Sequence, residues 1–141
     1  MNPNRRILER EYTGGKPYVR ARLAVINPEN LRQTTITRDF WIDTGFDGGA
    51  HVPDIFIPEI SRIGVNARTG PVGLAGGVSR SAHFCLAYLQ QIGDYEFPAP
   101  GIEATLILQG SASYGLLGLE ILKHFIAKFD GPNESFAISS E

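Results

Sequence analysis

Phe40-Trp41-Ile42-Asp43-Thr44-Gly45-Phe46-Asp47-Gly48 is the stretch on which the fold of this 141-residue chain turns, because a run of bulky apolar residues ends there on a carboxylate, a hydroxyl and a glycine. Aromatic and β-branched residues suit a buried strand, and glycine marks a place where backbone bends sharply or comes close to something else. A buried strand therefore delivers an acid to a turn. That acid is either a solvated turn residue or a catalytic group.

Upstream of this stretch, Tyr18, Arg20 and Arg22 alternate with Val19, Ala21 and Leu23, which predicts a strand over residues 17–26. Asn27-Pro28-Glu29-Asn30 breaks it as a loop, and residues 34–42 resume in strand-forming types that run directly into Asp43. Residues 1–16 are polar and carry a Gly14-Gly15 turn signal, so they read as a flexible N-terminal segment ahead of one domain over residues 17–141. Downstream, His51-Val52-Pro53 and Ile55-Phe56-Ile57-Pro58 read as short extended pieces, since proline lacks the N–H that a central strand needs. Gly70-Pro71-Val72-Gly73-Leu74-Ala75-Gly76-Gly77-Val78 reads as two short strands meeting at a tight turn, with Gly76-Gly77 supplying positive φ at the tip.

Residues 81–90, 92–97 and 105–108 are further expected strands. Leu117, Ile121, Leu122 and Phe125 recur at helical spacing, which predicts a short helix starting near Gly118 and running to Phe125. Residues 126–129 and 135–138, joined by Asp130-Gly131-Pro132-Asn133, close the chain as a hairpin. The expected class is mostly β with one short C-terminal helix. Trp41 is read as core packing behind the loop, Glu120 as a solvated helix residue and Asp130 as a turn residue.

With 43% hydrophobic residues the chain can bury one real core. Its 13 basic and 15 acidic residues nearly cancel and form no basic stripe, which argues against a nucleic-acid partner. No apolar run approaches the length of a membrane span, and Met1-Asn2-Pro3-Asn4-Arg5-Arg6 is followed by no apolar signal region; the expectation is no membrane partner and a cytoplasmic location. Cys85, the single cysteine, cannot form an intrachain disulfide and is expected as a buried thiol. His51, His83, His124 and Cys85 fit no local ligand spacing, so neither a metal nor a cofactor is expected.

Two features belong together: the apolar strand ending in Asp43-Thr44-Gly45, and the later Leu116-Leu117-Gly118 running into the predicted helix, with the glycine-tipped hairpin between them. In that order, from residue 17 to residue 138, the chain resembles the retroviral-type (retropepsin-like) aspartic proteases, in which each chain is half of a pepsin-like enzyme. An Asp-Thr-Gly triplet alone is a weak signal; its position after Phe40-Trp41-Ile42 and the two companion features make the combination more specific.

The resemblance implies a closed acid-protease β-barrel and an aspartic endopeptidase. Carboxylate-driven peptide hydrolysis needs two acids, one ionised to take a proton from water and one protonated to give a proton to the carbonyl oxygen. Two such groups about 3 Å apart share one proton. This chain has one Asp-Thr-Gly, so a homodimer is implied, with Asp43 from each copy on the two-fold axis. Asp43, Thr44 and Gly45 are then the catalytic residues, Thr44 bridging the two loops and Gly45 giving an extended peptide room to approach. Asp47, which reads equally well as an ordinary Asp-Gly turn residue, and Gly48 are implied substrate contacts, and Ala75, Gly76 and Gly77 the flap that covers a peptide or protein substrate. Two departures stand out: residue 46 is Phe where the family carries a small Ala or Ser, and Leu119-Glu120 follows Gly118 where retroviral enzymes place an arginine. The competing expectation is a dimerisation or peptide-binding module that keeps the fold without turnover.

Overall fold

The computed structural model describes residues 6–73, 77 and 79–140. Its framework starts from the two strands that flank Asn27-Pro28. Strand β2 (Tyr18–Ile26) pairs antiparallel with β3 (Gln33–Ile42) in continuous register from Tyr18 opposite Trp41 to Ile26 opposite Gln33. Alternation places Val19, Ala21, Leu23 and Val25 of β2, and Ile36, Phe40 and Ile42 of β3, in the core. Phe40 is fully buried; truncating a side chain of that size in a close-packed interior costs about 3–5 kcal/mol.

Four more strands complete a closed barrel: β4 (Ala50–Val52), β6 (Ser79–Ile92), β8 (Ile102–Leu108) and β9 (Gly115–Leu117). The order β2-β3-β9-β4-β8-β6 returns to β2 through the Ala21–Ala24 and Tyr88–Ile92 segments, so these six strands leave no open edge around the ring. The long β6 also carries β5 (Arg68–Gly73) as an antiparallel hairpin partner, with Gly73 opposite Ser79. At its other end Gly93 turns the chain so that β7 (Tyr95–Glu96) folds back on Gln91 and Ile92, which confines the strand expected over residues 92–97 to two residues.

A second sheet has the order β1-β11-β10, from β1 (Arg6–Glu11), β10 (Phe125–Asp130) and β11 (Ser135–Ser140). Here the reading of a flexible N-terminal segment is corrected for residues 6–11, which are hydrogen-bonded to β11 and bury Leu8 in the same core as Phe136 and Ile138. A second correction concerns the helix count. Residues 54–62 are not extended: a 3₁₀ turn over Asp54–Phe56 leads into helix α1 (Ile57–Arg62), with Pro58 in its first turn, where a missing N–H costs nothing. The expected C-terminal helix is present but shorter, as α2 (Leu119–Leu122), because Phe125 already starts β10. Trp41 is half-buried and sits outside the closed core, edge-on to Tyr114 and beneath the Lys16 ammonium at 4.1 Å. Among the described residues no helix is long and apolar enough to cross a membrane.

Candidate active site

The acid is held where three strands interlock. β9 lies between β3 and β4, parallel to the first (Ile42 opposite Leu117) and antiparallel to the second (Ala50 opposite Leu117). The loop from Asp43 to Gly49 must therefore arch over the end of β9. Asp43 N–H donates to the Leu117 carbonyl at 2.9 Å, so the first loop residue is fixed by the inserted strand. On the far side Gly118 N–H donates to Gly49 O (2.8 Å), Leu119 N–H to Phe46 O (2.8 Å) and Glu120 N–H to Gly48 O (3.2 Å). The first turn of α2 thus spends its free N–H groups on the carbonyls of the acid-bearing loop.

Close approach explains the glycines. A Cβ on Gly118 would stand 2.5 Å from the Phe46 carbonyl oxygen and closer still to that of Gly48, and one on Gly48 would stand 2.6 Å from the Phe46 ring. Gly115 similarly leaves room for the Phe40 ring. The bulky residue at 46 is thus accommodated because positions 48 and 118 have no side chains. Its ring meets His51 edge-on, with centroids 6.4 Å apart and planes at 88°.

Asp43 is half-buried, and its Oδ1 accepts the Gly45 N–H at 2.9 Å, which orients the carboxylate within its own turn. Thr44 and Gly45 are exposed beside it. The carboxylate faces a cleft of about 370 Å³ lined by Gly45, Phe46, His51, Leu116, Gln109 and, from the turn end of strand β5 in the β5–β6 hairpin, Val72 and Gly73. One strand end, one inserted strand and one hairpin therefore converge on Asp43. Asp47 is exposed and, among the described residues, makes no ion pair within the chain. Gly48 is half-buried, and its carbonyl is already engaged by Glu120 N–H. Of the expected flap residues, Ala75 and Gly76 lie outside the described residues; Gly77 has φ +76°, a conformation that favours glycine.

In comparisons with known proteins, no family model, curated protein or solved structure matched this chain.

Two residues of this region escaped the sequence reading. His51 Nε2 lies 3.2 Å from Gln109 Oε1 across the cleft wall, and burial pushes the imidazole below its ordinary value of 6.5, with the Gln109 hydrogen bond opposing that shift. The ring is therefore neutral near pH 7. The pair forms because β4 runs parallel to β8, His51 opposite Ile107, and Gln109 N–H continues the ladder to Val52 O at 3.0 Å. The second is Glu120. Its Oε1 accepts the Thr105 N–H at 2.6 Å, so this side chain ties α2 to β8 and is not merely solvated. Among the described residues no group of three His, Cys, Asp or Glu side chains is placed to hold a metal ion.

Proposed function

We propose that the chain is an aspartic endopeptidase, active as a homodimer in which two copies of Asp43 activate one water between them. The observation that carries the proposal is the Asp43 carboxylate, oriented by Gly45 N–H at the end of an apolar strand and opening onto a cleft that Val72 and Gly73, at the turn end of a β-hairpin strand, also line. The resemblance of Asp43-Thr44-Gly45, Leu116-Leu117-Gly118 and the intervening hairpin to retropepsin-like proteases points the same way.

In this reading the ionised carboxylate of the pair takes a proton from water while the protonated one gives its proton to the carbonyl oxygen of the scissile bond. Water oxygen bonds to the carbonyl carbon, and the resulting tetrahedral diol carries no net charge. Its collapse breaks the C–N bond: a carboxylate takes the diol proton and the amine leaves with a proton from the pair, which ends singly protonated again. The peptide lies extended, as an added strand whose main-chain groups bond to the site, and side chains at alternate positions fall into clefts such as the one beside Asp43. Thr44 and Gly45 are exposed, which leaves them free in this reading to meet a second copy and a peptide backbone.

The test is cleavage of an unfolded protein between about pH 4 and 7, where a shared-proton pair is singly protonated. Wild type is expected to cleave, and Asp43→Asn is expected to form the same dimer without cleaving. A dimer that binds peptides but never cleaves them supports the non-catalytic module instead.

A further inference from the structure

The cleft beside Asp43 is not uniformly apolar. Phe46, Val72 and Leu116 supply walls that suit a hydrocarbon stem, while His51 and Gln109 place an imidazole and a carboxamide together in the same lining. With the imidazole proton on Nε2 donated to Gln109 Oε1, the carboxamide NH₂ and the lone pair on His51 Nδ1 are left to pair elsewhere. Among the described residues neither has another protein partner, and neither is sealed from solvent.

We propose that the His51–Gln109 pair makes this cleft a subsite for a neutral amide side chain, glutamine or asparagine, of the bound peptide; the inference rests on the peptide-binding reading of the Asp43 site. An amide head both donates and accepts, matching the NH₂ and the Nδ1 lone pair that the pair leaves open. An aliphatic side chain would displace water from those groups and leave them unpaired. Near pH 7 a carboxylate head meets no cation in the lining, since the imidazole is then neutral and the remaining ionisable group is Asp43 itself. A lysine or arginine head would pair with Asp43 and occupy the reacting carboxylate. The Phe46 ring, which has room because Gly48 and Gly118 carry no side chain, supplies part of the cleft lining together with Leu116.

The experiment measures equilibrium binding of labelled extended octapeptides to the Asp43→Asn chain by fluorescence anisotropy, each position being varied in turn among Gln, Asn, Met, Leu, Glu and Lys. At one position Gln or Asn is expected to bind about fivefold tighter than Met or Leu, the yield of one neutral hydrogen bond. That ratio is expected to fall to near one in His51→Phe and, independently, in Gln109→Met. Gln109→Glu is expected to move the preference from Gln to Lys, a change that loss of packing alone would not produce. Peptides that bind with no amide preference at any position, or a preference unchanged in these variants, overturn the inference while leaving the peptide-binding reading intact. Absence of any peptide binding overturns both. The wild-type cleavage assay separately decides the catalytic reading, because the binding ratio does not depend on turnover.

Discussion

Gly118→Ala adds one methyl group at the point where the acid-bearing loop crosses the start of α2. Gly118 has φ −111° and ψ −171°, extended values that alanine adopts freely, so the cost is steric and not conformational. The new Cβ would stand 2.5 Å from Phe46 O and nearer to Gly48 O, whereas carbon–oxygen contacts ordinarily begin at about 3.3 Å. The loop must retreat by roughly 1 Å, which lengthens the three bonds from Gly118, Leu119 and Glu120 N–H to Gly49, Phe46 and Gly48 O. At about 0.5–1.5 kcal/mol each, losing all three costs about 1.5–4.5 kcal/mol. The same displacement moves Asp43, and an error of about 1 Å at a reacting group lowers a rate about a hundredfold. The assay is urea denaturation at fixed chain concentration, together with peptide cleavage. Gly131→Ala is the control, because a Cβ there meets nothing within 4 Å. Gly118→Ala behaving like Gly131→Ala in both measurements would refute the close packing of loop against helix.

Glu120→Ala leaves the Thr105 N–H without its acceptor and is expected to lower stability by about 1–3 kcal/mol in the same denaturation assay, with Glu120→Gln recovering most of the loss. His51 binds its proton more weakly folded than unfolded, so its share of stability is intact above the unfolded value of 6.5 and declines as pH falls from there toward the folded value. The denaturation midpoint of wild type should therefore drop more between about pH 7.5 and 5.5 than that of His51→Gln; parallel curves would contradict this. The Cys85 thiol, pushed up to about 11 by burial, is expected to react with iodoacetamide at pH near 8 much more slowly than the unfolded chain does.

What the sequence made legible was whatever has a local period or a local turn signal. The Tyr18–Ile26 and Gln33–Ile42 pair was readable because its alternation and the Asn27-Pro28 break lie within one short window. Strand β1 was not, since only Leu8 of its six residues is buried and its partner β11 lies at the other end of the chain. Helix α1 was misread because Pro53 and Pro58 were taken as marks of extended chain, while Pro58 stands in a first helical turn that proline tolerates. At the site, Asp43 and Gly45 could be singled out from residue types, an acid at a strand end followed by a glycine, whereas Gly118 entered through the resemblance that Leu116-Leu117-Gly118 carries. The His51–Gln109 pair joins residues 58 positions apart through the parallel β4–β8 pairing, and no periodicity in either segment announces it. Glu120 has an ordinary helical sequence context; its role appears only when α2 is set against β8.

The measurement that bears most directly on the proposed mechanism is the cleavage rate as Asp43→Asn chain replaces wild type at constant total concentration and is allowed to exchange. If each site needs one Asp43 from each of two copies, the rate falls as the square of the wild-type fraction and reaches zero for the pure variant. A rate that falls linearly, or cleavage that persists in pure Asp43→Asn, would contradict a site shared between two chains.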